Sequence, residues 1–290
     1  MNEMSLAPLV STGWLAGELG APDLRVVDAS WYLPSSRRDA FAEYLAGHIP
    51  GAVFFDLEQS SDRTSPLPHM LPPAEDFARR MGMLGIGDEH RIVVYDGSGA
   101  NMSAGRAWWM FRTFGHRATA VLDGGIGKWR REGHPLETEV PAVPSARFTA
   151  RLDPARVRDI AAVAANVDSR REQVVDMRAA GRFEGRDPEP RPGLRGGHIP
   201  GSHNLPFSEL VASDGTLLPP DQLRRKLHAA GIDPSRPVVA TCGSGTSACV
   251  LVHALAVIGA PDAAVYDGSW SEWGGAAGVP VATGPADPRD

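Results

Sequence analysis

The sequence predicts an α/β protein built from two tandem domains, each with a mostly parallel sheet flanked by helices. Two observations carry this prediction. Short apolar, β-branched segments alternate with helical patterns, which is typical of parallel sheets covered on both faces. In addition, motifs of the first half return about 144 to 150 residues later in the 290-residue chain, a spacing too long for a solenoid repeat.

The first domain is expected to contain four strands and four helices. The strands are short runs rich in Val and Ile, and the helices are the longer periodic segments between them. We expect strands at Leu24–Asp28, Ala52–Phe55, Ile92–Tyr95 and Thr119–Leu122, and helices at Ser11–Leu19, Ala74–Met83, Ser103–Phe114 and Gly127–Glu132. The second half repeats this order, with strands near Val174, Asn204, Val238 and Ala264.

The boundary between the domains is expected in a proline-rich stretch, Pro135–Pro154, which shows little periodicity. We place the linker at residues 138–154. The first domain then covers residues 1–137 and the second covers residues 155–290, each close to a common domain size.

The repeats differ at one chemically important position. The segment Val93–Gly99 aligns with Val239–Gly245, and Asp96 of the first copy stands where the second copy has Cys242. Other repeated motifs, such as the two His-Ile-Pro-Gly segments that begin at His48 and His198, are present in both copies. Only the second domain can therefore carry thiol chemistry, and the two histidines are expected to be structural.

Cys242 begins a six-residue loop, Cys242–Ser247, between an apolar strand and an apolar helix. Such a loop lets successive backbone N–H groups point at the sulfur, and the helix N-terminus adds partial positive charge. Both effects favour a thiolate, so we expect Cys242 to be a nucleophile. The second cysteine, Cys249, lies about two helical turns later and is expected to be a core residue.

The paired domains, the His-Ile-Pro-Gly motifs and the cysteine loop resemble the tandem-domain rhodanese-like sulfurtransferases over essentially the whole chain. In that family an inactive first domain accompanies an active second one. The loop Cys-Gly-Ser-Gly-Thr-Ser is similar to the Cys-Gly-Ser-Gly-Val-Thr of the 3-mercaptopyruvate-using branch, and differs from the cationic Cys-Arg-Lys-Gly-Val-Thr of thiosulfate-using rhodaneses. The segments Ser61–Pro66, His69–Pro72, Gly181–Phe183 and Pro188–Arg191 also match that branch.

The resemblance implies sulfur transfer from 3-mercaptopyruvate through a persulfide on Cys242, with release of pyruvate. Arg182 and Arg191 match substrate-binding arginines, and a guanidinium suits the donor's carboxylate. Ser244, His69 and an acid at Glu58 are implied as a proton relay, although the family commonly has aspartate at that last position. Because His69 lies in the first half of the chain, we expect the site at the domain interface. The remaining loop residues are expected to contact substrate: Gly243, Gly245, Thr246 and Ser247.

Three alternative functions differ from this one in the residues they need. A cysteine-based phosphatase needs an arginine six positions after the cysteine, and this chain has Ala248 there. A non-catalytic persulfide carrier would lack the paired arginines. A thiosulfate:cyanide sulfurtransferase is the nearest rival, but its dianionic donor would find no Lys or Arg between Cys242 and Ala248.

Composition and charge agree with a small-molecule enzyme. A net charge of −6 without a basic stripe argues against nucleic acid, and no apolar run reaches the length of a membrane span. Two cysteines and a start without signal features favour a reducing cytoplasm. Scattered histidines and cysteines predict no metal and no cofactor. We expect a small sulfur donor and a thiol acceptor such as thioredoxin, or cyanide.

Overall fold

The computed structural model of this chain describes residues 6–261 and 263–286. The chain forms two compact units, each of which includes a short segment from the other half of the sequence. Unit 1 consists of the residues up to Arg63, Leu71–Asp153 and Ala212–Leu217. Unit 2 consists of Thr64–Met70, Pro154–Val211 and the residues from Leu218 onward.

Unit 1 is built on a five-stranded parallel sheet with the order β1-β5-β4-β2-β3. The strands are β1 Leu9–Val10, β2 Leu24–Asp28, β3 Val53–Phe54, β4 Arg91–Tyr95 and β5 Thr119–Leu122. The helices are α1 Thr12–Glu18, α2 Ala40–Ala46, α3 Ala74–Met83, α4 Met102–Thr113 and α5 Gly125–Arg131, with a 3₁₀ turn at Pro34–Ser36.

Unit 2 repeats this arrangement with the strand order β6-β10-β9-β7-β8, again all parallel. The strands are β6 Val157–Arg158, β7 Gln173–Asp176, β8 His203–Asn204, β9 Val238–Thr241 and β10 Ala264–Tyr266. The helices are α6 Ile160–Ser169, α7 Ala180–Phe183, α8 Pro220–Ala229, α9 Ala248–Val257 and α10 Ser269–Trp273, with 3₁₀ turns at Pro154–Arg156 and Phe207–Leu210.

These sheets confirm the predicted fold class. The bounds of β2, β5 and α3 match the expected segments, because those segments carry clear apolar patterns. The edge strands β1 and β6 and the helix α2 were not predicted from the sequence. Two residues are too few to show a period, and α2 leaves Phe41 and Leu45 largely exposed, so its pattern is not that of a core helix.

The central strands are buried on both faces, as parallel strands between helix layers must be. In β4 the side chains from Ile92 to Tyr95 are all fully buried. The stretch expected to be a linker also packs closely on unit 1. Phe148 is buried against the ring of Phe77, and Ala146 N–H donates to Gly82 O at 3.0 Å. The domain boundaries at 137/138 and 154/155 stay predictions.

Candidate active site

Cys242 lies directly after β9, the central strand of the unit 2 sheet, and begins the loop that leads into α9. Its side chain is 2% exposed. The carboxyl ends of parallel strands are where α/β proteins place their ligand sites, because helix N-termini and loops converge there. Cys242 therefore lies at the end of the sheet where active sites of parallel α/β proteins are found.

The start of the loop is held by α10. Cys242 N–H donates to Ser269 Oγ at 3.2 Å, and its carbonyl accepts from Trp270 N–H at 3.0 Å. The carbonyl of Gly243 accepts from both the N–H and the hydroxyl of Ser271, at 2.9 Å and 2.6 Å. Two successive peptide carbonyls are thus fixed, which orients the rest of the loop.

Four loop N–H groups donate to no protein acceptor within residues 6–261 and 263–286, those of Gly243, Ser244, Thr246 and Ser247. Over the same residues, Cys242 Sγ accepts no hydrogen bond. Backbone N–H groups without a protein acceptor favour an anion beside Cys242, because an anion accepts hydrogen bonds from them. They are suited to the terminal sulfur of a persulfide.

The equivalent loop of unit 1 shows how this backbone holds an anion. Asp96 occupies the position of Cys242, and its carboxylate accepts from the N–H groups of Ser98 and Ala104, each at 2.8 Å. The hydroxyls of Ser98 and Ser103 donate to the same carboxylate at 2.6 Å and 3.1 Å. In unit 1 the loop is therefore occupied by the protein's own negative charge.

His69 lies beside the cysteine loop. Its ring Nδ1 is 3.1 Å from Ser244 Oγ and 3.2 Å from Thr246 Oγ1, and all three residues are buried. His69 adopts a φ of 61°, a left-handed conformation that costs about 1–3 kcal/mol and is kept only where other contacts enforce it. Either hydroxyl can exchange a proton with the imidazole.

His69 is distant in sequence from most of the unit that contains it. The sequence places this residue in the first half of the chain, but Thr64–Met70 belongs to unit 2 by its contacts. The pair of His69 and Ser244 is thus internal to unit 2. Glu58 belongs to unit 1, where its Oε1 accepts from Trp31 Nε1 at 2.9 Å. The structure brings together two members of the expected relay, and the role of Glu58 stays a prediction.

Arg182 and Arg191 both reach the cysteine loop. A Cβ atom placed on Gly243 would lie 3.3 Å from Arg182 Nη2 and 3.9 Å from Arg191 Nη1. The glycine therefore leaves room for two guanidiniums next to the residue that follows Cys242. Gly245, two positions later in the loop, has a φ of 75°, and its carbonyl accepts from Cys249 Sγ at 3.2 Å. Cys249 is thus turned to the loop backbone from within α9.

An ionic network that the sequence did not predict supports the arginines. Arg178 donates to both carboxylate oxygens of Asp176 and, at 2.7 Å each, to Glu189 Oε1 and the carbonyl of Gly197. Glu189 also accepts from Arg182, through Nε at 3.3 Å and Nη2 at 2.5 Å. The side chains of Asp176, Arg178 and Glu189 are nearly fully buried. The sequence signal that could have indicated this network is Glu189, an acidic residue between two prolines and close before Arg191.

Arg178 is also fixed by stacking. Its guanidinium lies 4.2 Å from the ring centroid of Trp270, the residue whose backbone N–H holds the Cys242 carbonyl. Cation–π contacts of this kind are strongest when the pair is shielded from water. Trp270 therefore holds both the guanidinium of Arg178 and the start of the cysteine loop.

No group of three or more His, Cys, Asp or Glu side chains in the described residues could hold a metal ion. Among the same residues, no helix is both long and apolar enough to cross a membrane.

Comparison with known proteins adds three findings. The model of the rhodanese-like domain family matches twice, at residues 11–132 and 159–276. Human 3-mercaptopyruvate sulfurtransferase is 48% identical over 270 residues, covering 91% of each chain, and bovine thiosulfate sulfurtransferase is 46% identical over 280 residues, covering 94% of each. A crystal structure of a 3-mercaptopyruvate sulfotransferase from Escherichia coli superimposes with a TM-score of 0.84 at 40% identity, covering 92% of this chain and 100% of that one.

Proposed function

This chain belongs to the family of rhodanese-like proteins, and on that premise we propose that it is a 3-mercaptopyruvate sulfurtransferase. The observation that carries the proposal is the position of Arg182 and Arg191 beside Gly243. Gly243 belongs to the cysteine loop, Cys242–Ser247, which itself contains no Lys or Arg. Two guanidiniums beside the residue that follows the nucleophile suit a donor whose carboxylate lies some atoms away from the sulfur that is attacked.

The first half-reaction begins with the thiolate of Cys242. It attacks the thiol sulfur of 3-mercaptopyruvate, an S–S bond forms, and the bond between that sulfur and the donor's methylene carbon breaks. The electron pair of the broken bond leaves on the enolate of pyruvate. The proton of the donor's thiol moves to the methylene carbon, which yields pyruvate and the persulfide anion on Cys242.

The residues around the loop supply three functions in this step. Arg182 and Arg191 hold the carboxylate and the developing enolate oxygen. The N–H groups of the loop stabilise the persulfide anion. Ser244 and His69 carry the proton, because the hydroxyl lies within hydrogen-bond distance of the imidazole.

The second half-reaction regenerates the enzyme. An acceptor thiolate, or cyanide, attacks the outer sulfur of the persulfide and leaves with it, and Cys242 returns as a thiolate. We infer a protein or small-molecule thiol as the natural acceptor, thioredoxin included, with neither nucleic acid nor membrane as a partner. A cytoplasmic location remains our expectation.

Thiosulfate:cyanide sulfur transfer is the second candidate, since relatives named thiosulfate sulfurtransferase are nearly as similar as those named for mercaptopyruvate. The decisive experiment compares pyruvate release from 3-mercaptopyruvate with thiocyanate formation from thiosulfate and cyanide. We expect a higher kcat/KM for 3-mercaptopyruvate. A higher value for thiosulfate would assign the chain to the rival function, and turnover of neither donor would favour a persulfide carrier.

A further inference from the structure

Glu189 stands at the centre of the charges that surround the donor site. We define the arginine cluster as Asp176, Arg178, Arg182, Glu189 and Arg191. The Glu189 side chain is 3% exposed, and its two oxygens are shared between Arg178 and Arg182. A buried carboxylate in such a bridge is held rigidly, because each partner fixes the other.

The bridge links a partly exposed side chain, that of Arg182, to a buried one, that of Arg178. Arg178 is held by Asp176, by the carbonyl of Gly197 and by the ring of Trp270. Arg182 is more exposed, at 24%, and Glu189 is its carboxylate partner. Glu189 therefore transmits the rigidity of Arg178 to the guanidinium that lies next to Gly243.

The bridge also sets the charge that a donor meets. Three guanidiniums and two carboxylates leave the arginine cluster with one net positive charge. A donor with one carboxylate matches that charge, whereas dianionic thiosulfate would be matched by two. Without Glu189, the cluster would carry two positive charges next to the same loop.

From these contacts we infer that Glu189 determines the donor preference: it positions Arg182 and cancels one guanidinium charge, so the site selects a monoanionic carboxylate donor. This inference rests on the proposed function. Glu189 acts through Arg182 and not on the reacting sulfur, so it is a positioning and specificity residue.

Two substitutions separate the two roles. Glu189→Gln removes the charge with little change of shape, so the ratio of kcat/KM for thiosulfate to that for 3-mercaptopyruvate should rise at least about tenfold. That gain should shrink as ionic strength increases. Glu189→Asp keeps the charge but is one methylene shorter, so it should raise KM for 3-mercaptopyruvate and leave the ionic-strength dependence of thiosulfate turnover unchanged. The matched control is Glu209→Gln, at an exposed pair with Lys226, which should change neither donor's kinetics.

A double-mutant cycle tests whether Glu189 acts through Arg182. In an Arg182→Ala background, Glu189→Asp should have no further effect on kcat/KM for 3-mercaptopyruvate. The inference would be overturned if the Glu189 substitutions lowered kcat/KM equally for both donors. It would also be overturned if Glu189→Asp kept its full effect on kcat/KM in the Arg182→Ala background. This cycle also decides the matter if Glu189→Gln fails to fold. Absence of pyruvate release by the parent protein would instead overturn the proposed function, so the two failures are distinguishable.

Discussion

The imidazole Nδ1 of His69 lies 3.1 Å from Ser244 Oγ, although 175 positions separate the two residues in sequence. Thr246 Oγ1 lies at nearly the same distance from that nitrogen, at 3.2 Å. One ring nitrogen thus faces two hydroxyls of the cysteine loop. The proton of a mercaptopyruvate thiol therefore has a short path away from sulfur through the Ser244 hydroxyl. The Thr246 hydroxyl provides an alternative path to the same nitrogen.

That alternative predicts the behaviour of hydroxyl variants. Ser244→Ala should lower kcat for pyruvate formation by less than Ser244→Ala combined with Thr246→Val, and the double variant should lose about 100-fold, the scale of a lost proton-transfer group. Thiocyanate formation from thiosulfate, which transfers no proton to carbon, should fall less. Steady-state kinetics with both donors measure this, with the exposed Ser36→Ala as control. A double variant with parental pyruvate formation would exclude the relay.

Cys242 should be the residue that carries sulfur. After one equivalent of 3-mercaptopyruvate, peptide mapping should find an added mass of about 32 Da on the Cys242 peptide. Cys249 should stay unmodified, because it is fully buried in α9 and its Sγ donates to the Gly245 carbonyl. Cys242→Ser should abolish pyruvate release, and the assignment fails if that variant turns over at the parental rate.

Arg182 and Arg191 should matter for donors that carry a carboxylate. Replacing either by Ala should lower kcat/KM for 3-mercaptopyruvate by roughly 10- to 100-fold, the scale of a lost charged hydrogen bond. Arg186→Ala is the matched control, since Arg186 lies in the same segment but is exposed and paired with Glu184. Kinetics for thiosulfate provide the comparison: an equal loss with both donors would indicate that the two arginines only maintain the fold.

Asp28 should make unit 1 less stable as pH rises. Burial raises the pKa of Asp28 from 3.8 to about 6, against the hydrogen bonds from Ser30. The folded state therefore holds a proton more tightly than the unfolded state, so this contribution to stability is complete below about pH 3.8 and is lost as pH rises through about 6. Asp28→Asn should raise the free energy of unfolding at pH 7.5 by on the order of 2–3 kcal/mol, and by almost nothing at pH 4.

Denaturant unfolding of Asp28→Asn and the parent at both pH values measures this difference. The matched substitution in unit 2, Asp176→Asn, should have the opposite sign at pH 7.5. Asp176 is paired with Arg178, so its loss leaves a buried guanidinium with fewer anionic partners. A gain from Asp28→Asn that is equal at pH 4 and pH 7.5 would show that ionisation of Asp28 is not the cause.

The sequence contained enough to predict the fold class and the cysteine loop, because both depend on local patterns. β9 is a continuous apolar run, and the glycines of the loop mark the turn into α9. The edge strands β1 and β6 could not be predicted, since a two-residue strand is defined by its neighbour in the sheet. Their existence depends on pairing that no local pattern records.

Parts of the site were beyond sequence reasoning for a similar reason. The bridge from Arg178 through Glu189 to Arg182 depends on where a Pro-rich segment folds back, and the residues alone do not specify that path. The contacts of His69 also depend on a chain segment that joins the unit built mainly from the other half of the chain. In both cases the missing information was three-dimensional proximity.

The carboxylate of Asp96 has a thermodynamic consequence for the catalytic copy of the loop. In unit 1 the hydrogen-bond donors are satisfied permanently, by an anion that is part of the chain. In unit 2 the comparable donors face the thiolate sulfur of Cys242 in the resting protein, and they gain the outer, anionic sulfur of a persulfide only when Cys242 takes up sulfur. Persulfide formation then acts like the binding of a ligand that stays covalently attached, and the free energy of satisfying those donors adds to the driving force for loading. The sulfur-loaded protein should accordingly melt at a higher temperature than the resting protein, and transfer to an acceptor should return that stability.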